Sequence, residues 1–391
     1  MVGVLAVAGL LLGAPASPAG DQAKTSVVKG TTAPIAEFPW LAFVTYEGPV
    51  DEFSCTGTVV APRLVLTAGH CAVSESGRVL RADSYHVTWG TANAEKADGA
   101  RIADVAKILL FPGYDPNNYL HDAALLILSA PVGAPPIPLA TAADRALYAG
   151  GTPIQIAGWG LTDADAASAP AAFRTGETVI GATSFCERRV FFDVVRFDPA
   201  SQLCATDRHR REVGACSGDS GGPGIAHRAD GTPVQVGIVS TGGPFCDLSF
   251  PEIQTRVDQV SPWVASWTAA IEAGAPPPPI APPRLYRLPK LTFPDARLYT
   301  FLVLANDFRR SFIDGRSPRL DCRRIDREKV KCGVFWRRSR TVYGGGLTIF
   351  YGLPREGALV RFSYRIRKVH MGCWERRGGF KHCPGPVFNA D

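Results

Sequence analysis

Six prolines fall within nine residues, 275–283, and that run constrains the fold more than any other feature of the chain. Each proline fixes φ and removes a backbone donor, so the run can join neither a sheet nor a helix interior and reads as a semi-rigid polyproline II spacer. The two sides of it carry opposite charge. Residues 284–391 hold 24 Lys/Arg against 9 Asp/Glu, net +15, whereas residues 1–283 hold 18 against 27, net −9. A length of 391 residues accommodates two or three domains, and opposite charge predicts modules with different tasks. A linker over 274–285 and a basic unit over 286–391 are expected.

Residues 2–12 form an apolar stretch too short to span a bilayer. Small residues Ala14, Ala16, Ser17 and Ala19 follow, so 1–19 reads as a secretory signal, although no Lys or Arg precedes the apolar run. Ten cysteines agree with an oxidising, extracellular destination. Beyond the signal, short apolar runs at 41–46, 57–60, 87–89, 102–110, 154–157 and 235–240 are cut by Gly, Pro and Asp clusters, an all-β pattern. Val260, Trp263, Val264 and Trp267 recur at helical spacing and predict a helix over 260–272. In the tail, Val360, Phe362, Tyr364 and Ile366 alternate with Arg361, Ser363, Arg365 and Arg367, and Val330, Cys332, Val334 and Trp336 recur at the same period of two. Leu298, Thr300, Leu302 and Leu304 give a third such line, so the tail is expected to be a small β-domain stapled by disulfides. Cys322 with Cys332 and Cys373 with Cys383, each pair ten apart, are paired by proximity. The alternative, a zinc site, has no Cys-x-x-Cys spacing behind it.

The chemistry lies in three segments. Residues 214–223 run Gly214, Ala215, Cys216, Ser217, Gly218, Asp219, Ser220, Gly221, Gly222, Pro223. Glycines let such a loop turn consecutive N–H groups toward one point beside the Ser220 hydroxyl. A serine needs a base and an orienting acid. His70 ends the apolar run that starts at Leu64, next to Cys71, and Asp122 opens an apolar run that ends at Leu128. A carboxylate so placed requires a hydrogen-bonding partner, and an imidazole supplies one.

These segments, in the order His70, Asp122, Ser220, resemble the chymotrypsin/trypsin-like serine endopeptidases, in particular secreted bacterial-type members, over residues 27–273. The resemblance implies two six-stranded antiparallel β-barrels with a C-terminal helix and the site between the barrels. It implies Ser220 as nucleophile, His70 as general base, Asp122 as orienting acid, the N–H groups of Gly218 and Ser220 as oxyanion hole, and Ser240 as support for Asp122. It further implies the disulfides Cys55 with Cys71, Cys186 with Cys204, and Cys216 with Cys246. Val27, Val28, Lys29 and Gly30 resemble the N-terminus that such enzymes gain by proteolysis, with Lys29 where glycine is usual. A pro-segment over 20–26 is then expected, with the Val27 amine pairing with Asp219 after cleavage. The residue before the cut is Ser26, which does not suit a trypsin-like activator. The other reading of Asp219 is a cap on local backbone donors.

Substrate selection is expected from Gly214, Ser240, Thr241, Gly242 and Glu252. The edge over 240–242 pairs with an extended peptide, with Thr241 where the family often has tryptophan. Trypsin-like members carry aspartate six residues before the nucleophile, where this chain has Gly214. Glu252 then falls on the far wall of the pocket and predicts acceptance of basic or large P1 residues; a solvated loop glutamate is the alternative. No metal site, cofactor or nucleotide loop is expected. The basic tail reads as an anchor for an anionic polymer such as a cell-wall polymer, polysaccharide, nucleic acid or lipid headgroup, with its aromatics Phe335, Trp336, Tyr343, Phe350 and Tyr351 assigned to its own core. A catalytically silent homologue that acts as a binding or adhesion protein through the tail is the competing function.

Overall fold

The computed structural model describes residues 27–382 except 50–51, 75–76, 98–100, 117–118, 163–170, 190–196, 208–211, 244–245, 249, 281–290, 327–328, 352–359, 371–373 and 376–380. The expected signal, the pro-segment and the pairing of Cys373 with Cys383 lie outside the described residues.

Twelve strands close into two antiparallel barrels. The first contains β1 (Leu41–Glu47), β2 (Glu52–Ala61), β3 (Leu64–Thr67), β4 (Tyr85–Trp89), β5 (Ile102–Leu110) and β6 (Ala124–Leu128), closed in the order β1-β2-β3-β6-β5-β4. The second contains β7 (Pro153–Gly158), β8 (Arg174–Ile180), β9 (Gln202–Thr206), β10 (Pro223–His227), β11 (Pro233–Thr241) and β12 (Glu252–Arg256), in the order β10-β11-β12-β9-β8-β7. Closure leaves no unpaired edge. Strands β3 and β6 are buried along their whole length, which explains why both read as unbroken apolar runs rather than as alternation.

A short helix α1 (Thr183–Arg189) precedes β9, and α2 (Val257–Glu272) follows β12. Helix α2 buries Val257, Val260, Val264 and Trp267, a helical stripe packed onto the core that both barrels share. Three disulfides, Cys55–Cys71, Cys186–Cys204 and Cys216–Cys246, tie the loops of this double barrel.

The tail differs from expectation in one element. Residues 298–304 are not a strand. They lie within α3 (Phe293–Ile313). The alternation there coincides with a stronger helix signal: Thr292 and Asp295 form a reciprocal capping box and Pro294 sits in the first turn. The buried positions Ala296, Thr300, Val303 and Leu304 follow helical spacing. The helix packs on a four-stranded antiparallel sheet of β13 (Arg316–Arg324), β14 (Lys329–Arg338), β15 (Thr341–Tyr351) and β16 (Val360–His370), in that order. Cys322 and Cys332 are direct cross-strand partners and are disulfide-bonded. Trp336 and Tyr343 are buried in this core. Phe335 and Phe350 are half-buried on the opposite face. A two-residue pair, β17 (Trp374–Glu375) and β18 (Lys381–His382), follows. Among the described residues no helix is long and apolar enough to cross a membrane.

Candidate active site

Strand pairing brings His70 and Asp122 together. Thr67 of β3 is registered with Ala124 of β6, so the turn after β3 and the segment before β6 leave the barrel at one end. His70 stands on the first and Asp122 on the second. Asp122 is fully buried. Its Oδ1 accepts the His70 backbone N–H at 2.7 Å, and its Oδ2 lies 2.7 Å from His70 Nδ1. Ser240, in β11 of the second barrel, donates its hydroxyl to the same Oδ2 at 2.5 Å. Thr255 of β12 donates to the Asp122 carbonyl at 3.0 Å. A buried carboxylate is tolerable because these donors replace water. Burial by itself lowers the His70 pKa, but the charge and hydrogen bond of Asp122 outweigh it, and the net shift is upward from 6.5. With Nδ1 engaged, Nε2 is the nitrogen left for proton transfer.

Ser220 lies on the loop before β10, half-buried. The first barrel holds this loop. The Thr56 N–H of β2 donates to the Ser220 carbonyl at 2.8 Å, and the Thr56 hydroxyl donates to the Gly218 carbonyl at 2.9 Å. Cys71 Sγ, beside His70, is 3.7 Å from the Ser220 carbonyl oxygen. The Ser220 hydroxyl makes no hydrogen bond among the described residues; catalytic hydrogen bonds commonly tighten only when substrate is bound. Two glycines permit the loop's path. Gly218 has φ +100° and Gly221 φ +82°. A Cβ on Gly221 would collide with Thr67 Oγ1 and the Thr56 carbonyl.

Asp219 points the other way, into the second barrel, and is 1% exposed. Its carboxylate accepts the Gly160 N–H at 2.8 Å and the Cys216 N–H at 2.9 Å. Burial dominates over these bonds and pushes its pKa up to about 7. No cation pairs with it among the described residues. Val27 is also buried: Val28 N–H donates to the Gly214 carbonyl at 2.9 Å, and the Val27 side chain packs over Gly176. Lys29 pairs with Glu212 at 3.1 Å on the surface.

Gly214, Ala215, Gly242, Cys246, Leu248 and Glu252 all line one cavity. Glu252, the first residue of β12, is 8% exposed. It is therefore not a solvated loop glutamate. Its carboxylate accepts the Ala215 N–H at 3.1 Å and a hydrogen from Gln254 Nε2 at 2.6 Å, and it makes no ion pair among the described residues. Burial outweighs these bonds and pushes its pKa up to about 7. Leu248 occupies the space that the absence of a side chain at Gly214 leaves open, since a Cβ there would meet Leu248 Cδ2 at 2.5 Å. Thr241, at the end of β11, lies beside the cavity and is half-exposed.

Thr56 and Leu248 carry no signal in the sequence. Both act across long separations, Thr56 reaching residues 162 positions away. Tyr119 was also silent: its ring stands edge-on to His70 at 5.7 Å between centroids, held by Gln202, which donates to the Tyr119 carbonyl at 3.2 Å. Among the described residues, the group of side chains close enough to hold a metal is Cys55, His70 and Cys71. Its two cysteines are consumed by their disulfide, so it offers no metal site.

The geometry can be compared with known proteins. Residues 27–264 match the trypsin family, and the match ends before the proline-rich segment. The chain is 30% identical over 268 residues to CLIP domain-containing serine protease B4 of Anopheles gambiae, covering 64% of this chain and 72% of that protein. It is 30% identical to Serine protease 56 of Homo sapiens, covering 67% of this chain but 42% of that protein. It is 28% identical to Trypsin alpha-4 of Lucilia cuprina, covering 63% of this chain and 88% of that protein.

Proposed function

The chain belongs to the trypsin family and is a chymotrypsin-like serine endopeptidase, and from that premise we propose that Ser220, His70 and Asp122 hydrolyse peptide bonds through an acyl-enzyme. Ser220 Oγ attacks the scissile carbonyl carbon as its proton passes to His70 Nε2. The imidazolium then protonates the leaving amine. Water repeats the sequence on the ester, with His70 again as base. Asp122 keeps the Nδ1 proton in place and stabilises the imidazolium. The N–H groups of Gly218 and Ser220, which have no protein acceptor among the described residues, face the developing oxyanion, a donation worth roughly 2.7–4 kcal/mol per donor in such reactions. The observation that carries this reading is the double hold of Asp122 on His70, with Ser240 as third donor.

The enzyme is secreted and made as a precursor. Its maturation is cleavage before Val27, after which the new ammonium pairs with Asp219 and offsets the burial of that carboxylate. Val27 is already buried, with its side chain over Gly176 and the next residue bonded to Gly214, which supports this maturation. P1 selection joins two wall elements: Glu252 attracts a Lys or Arg side chain, and Leu248 accepts the methylene stem or a large apolar residue. The basic tail after the linker anchors the enzyme to an anionic polymer.

Peptide-library cleavage by the mature protein, with N-terminal sequencing of the active form, tests this. Cleavage after basic and large residues by a chain starting at Val27 is the expected outcome. An active form that retains residues before Val27 removes the maturation step, and a P1 profile restricted to small residues removes the pocket assignment.

A further inference from the structure

Gly218 supplies a donor to the oxyanion hole but cannot aim it. A glycine at φ +100° has wide conformational freedom, so the direction of its N–H depends on what grips the peptide groups on either side. No side chain on Gly218 itself could help, because a Cβ there would stand 2.9 Å from the Gly160 Cα.

The grip comes from two holders that alternate along the loop. The Ser217 carbonyl, in one peptide plane with the Gly218 N–H, accepts the Leu161 N–H at 2.7 Å. The Gly218 carbonyl accepts the Thr56 hydroxyl at 2.9 Å. The Asp219 carboxylate accepts the Gly160 N–H at 2.8 Å, and the Ser220 carbonyl accepts the Thr56 N–H at 2.8 Å. The holders are joined to each other as well. The Thr56 hydroxyl accepts the Trp159 N–H at 3.3 Å, and a Cβ on Gly158 would collide with both Thr56 Oγ1 and the Asp219 carboxylate. Thr56, on β2, is the first-barrel side of this circuit and is fully buried. Its carbonyl is engaged too, accepting the Thr67 hydroxyl at 2.8 Å, three residues before His70. One side chain and its own backbone thus tie the loop of Ser220 to the strand that leads to His70.

We propose that Thr56 is a positioning residue for the oxyanion hole: its hydroxyl fixes the peptide after Gly218 and thereby aims the Gly218 N–H at the developing charge. A hydroxyl donates and accepts at once, which this place requires, since it gives a hydrogen to the loop and takes one from the second barrel. Valine has nearly the same shape and does neither. Thr58 separates this role from ordinary cohesion of the two barrels. It stands two residues further along β2, on the same face, and is equally buried. Its hydroxyl also crosses to the second barrel, donating to Gln235 Oε1 at 2.8 Å, but it reaches β11 and not the loop. The proposal rests on the acyl-enzyme reading with Gly218 and Ser220 as donors.

The test compares Thr56→Val, Thr56→Ser and Thr58→Val in the mature protein. The readouts are melting temperature, kcat and KM for a peptide amide, and the inhibition constant of a peptide trifluoromethyl ketone, whose adduct with Ser220 places an oxyanion in the hole. For Thr56→Val we expect kcat to fall by about tenfold to a hundredfold, short of the loss of about 10²–10³-fold known for removing such a donor outright, with KM within about twofold. The inhibition constant of the ketone rises by the factor that kcat/KM loses, because both report the oxyanion. Thr56→Ser keeps the hydroxyl and recovers kcat to within about threefold of wild type. Thr58→Val also loses a buried hydrogen bond and melts lower, yet keeps kcat within about twofold. Thr56→Ala, smaller than threonine and free of any clash, shows the same direction of change and replaces Thr56→Val if that variant does not fold. Equal kcat losses in Thr56→Val and Thr58→Val, a rise in KM alone, or a ketone affinity that stays put while kcat/KM falls, overturns the positioning role and leaves the acyl-enzyme reading standing. Wild-type protein that does not hydrolyse the peptide overturns both.

Discussion

Asp122 grips His70 at two atoms, taking the backbone N–H on Oδ1 and facing Nδ1 with Oδ2, each at 2.7 Å. The first bond sets where the residue sits, and the second sets which ring nitrogen carries the proton. Asp122→Asn keeps the shape but places an amide that cannot accept at both positions and from Ser240 as well. We expect kcat to fall by about 10⁴-fold, the size known for this tautomer error in related serine proteases, with KM little changed. Steady-state kinetics with a peptide substrate checks this, alongside a melting curve to establish that the variant is folded.

The upward shift of His70 has a sign that can be read in activity. The general base must be neutral, so kcat/KM falls as pH drops through the His70 pKa of the free enzyme. Burial pulls that pKa down and Asp122 pulls it up more strongly, so the acid limb has its midpoint above 6.5. The same shift contributes stability that is fully present below the unfolded value of about 6.5 and is lost as pH rises through the folded value. A pH–rate profile with its acid midpoint near 6 or lower contradicts the inferred dominance of Asp122.

The proposed pocket role of Glu252 makes P1 preference depend on pH. Its carboxyl titrates near 7, so it is largely neutral in mild acid and charged in mild base. The ratio of kcat/KM for an Arg substrate to that for a Leu substrate isolates this group, because His70 acts on both substrates and cancels. We expect the ratio to rise between pH 6 and pH 8 by about tenfold, and to become flat in Glu252→Gln. The pocket role is lost if wild type and variant give the same ratio at every pH.

Under the proposed maturation, Asp219 is a liability in the uncleaved chain. Its pKa is raised from 3.8 to about 7 by burial. A carboxyl with a raised folded pKa contributes stability below its unfolded value and loses it as pH rises through the folded one, so the precursor weakens between about pH 4 and pH 7. The magnitude is of the order of a few kcal/mol. Asp219→Asn removes this slope from melting temperature against pH in the precursor. In protein cleaved before Val27 the same substitution abolishes activity, since no anion remains for the new ammonium. A precursor that melts with the same pH dependence in wild type and variant contradicts the buried, unpaired carboxylate.

What could be read from the sequence was local. The apolar runs ending at His70 and starting at Asp122 are strands β3 and β6, buried on both faces, and no alternation was needed to see them. The glycines around Ser220 mark a loop whose φ values only glycine adopts readily. The helix α2 declared itself through tryptophan and valine spacing. The contact of Thr56 with Gly218 between the barrels was invisible, because it spans more than a hundred residues, and that of Ser240 with Asp122, just as distant, came only from the family resemblance. The burial of Glu252 was also hidden, since its neighbour Leu248 belongs to a loop with no periodic signal. In the tail, the alternation of Leu298 to Leu304 competed with a capping box at Thr292 and Asp295, and the helix prevailed because the cap and the i, i+4, i+7, i+8 stripe support each other.

The most direct measurement is labelling of the mature protein with a fluorophosphonate, followed by intact mass and peptide mapping, since phosphonylation requires a serine whose proton a neighbouring base removes. A single adduct on Ser220, lost in His70→Ala, with peptide hydrolysis abolished in step, is what the account predicts. An unlabelled Ser220 in protein that still cleaves peptides, or cleavage that survives Ser220→Ala, contradicts it.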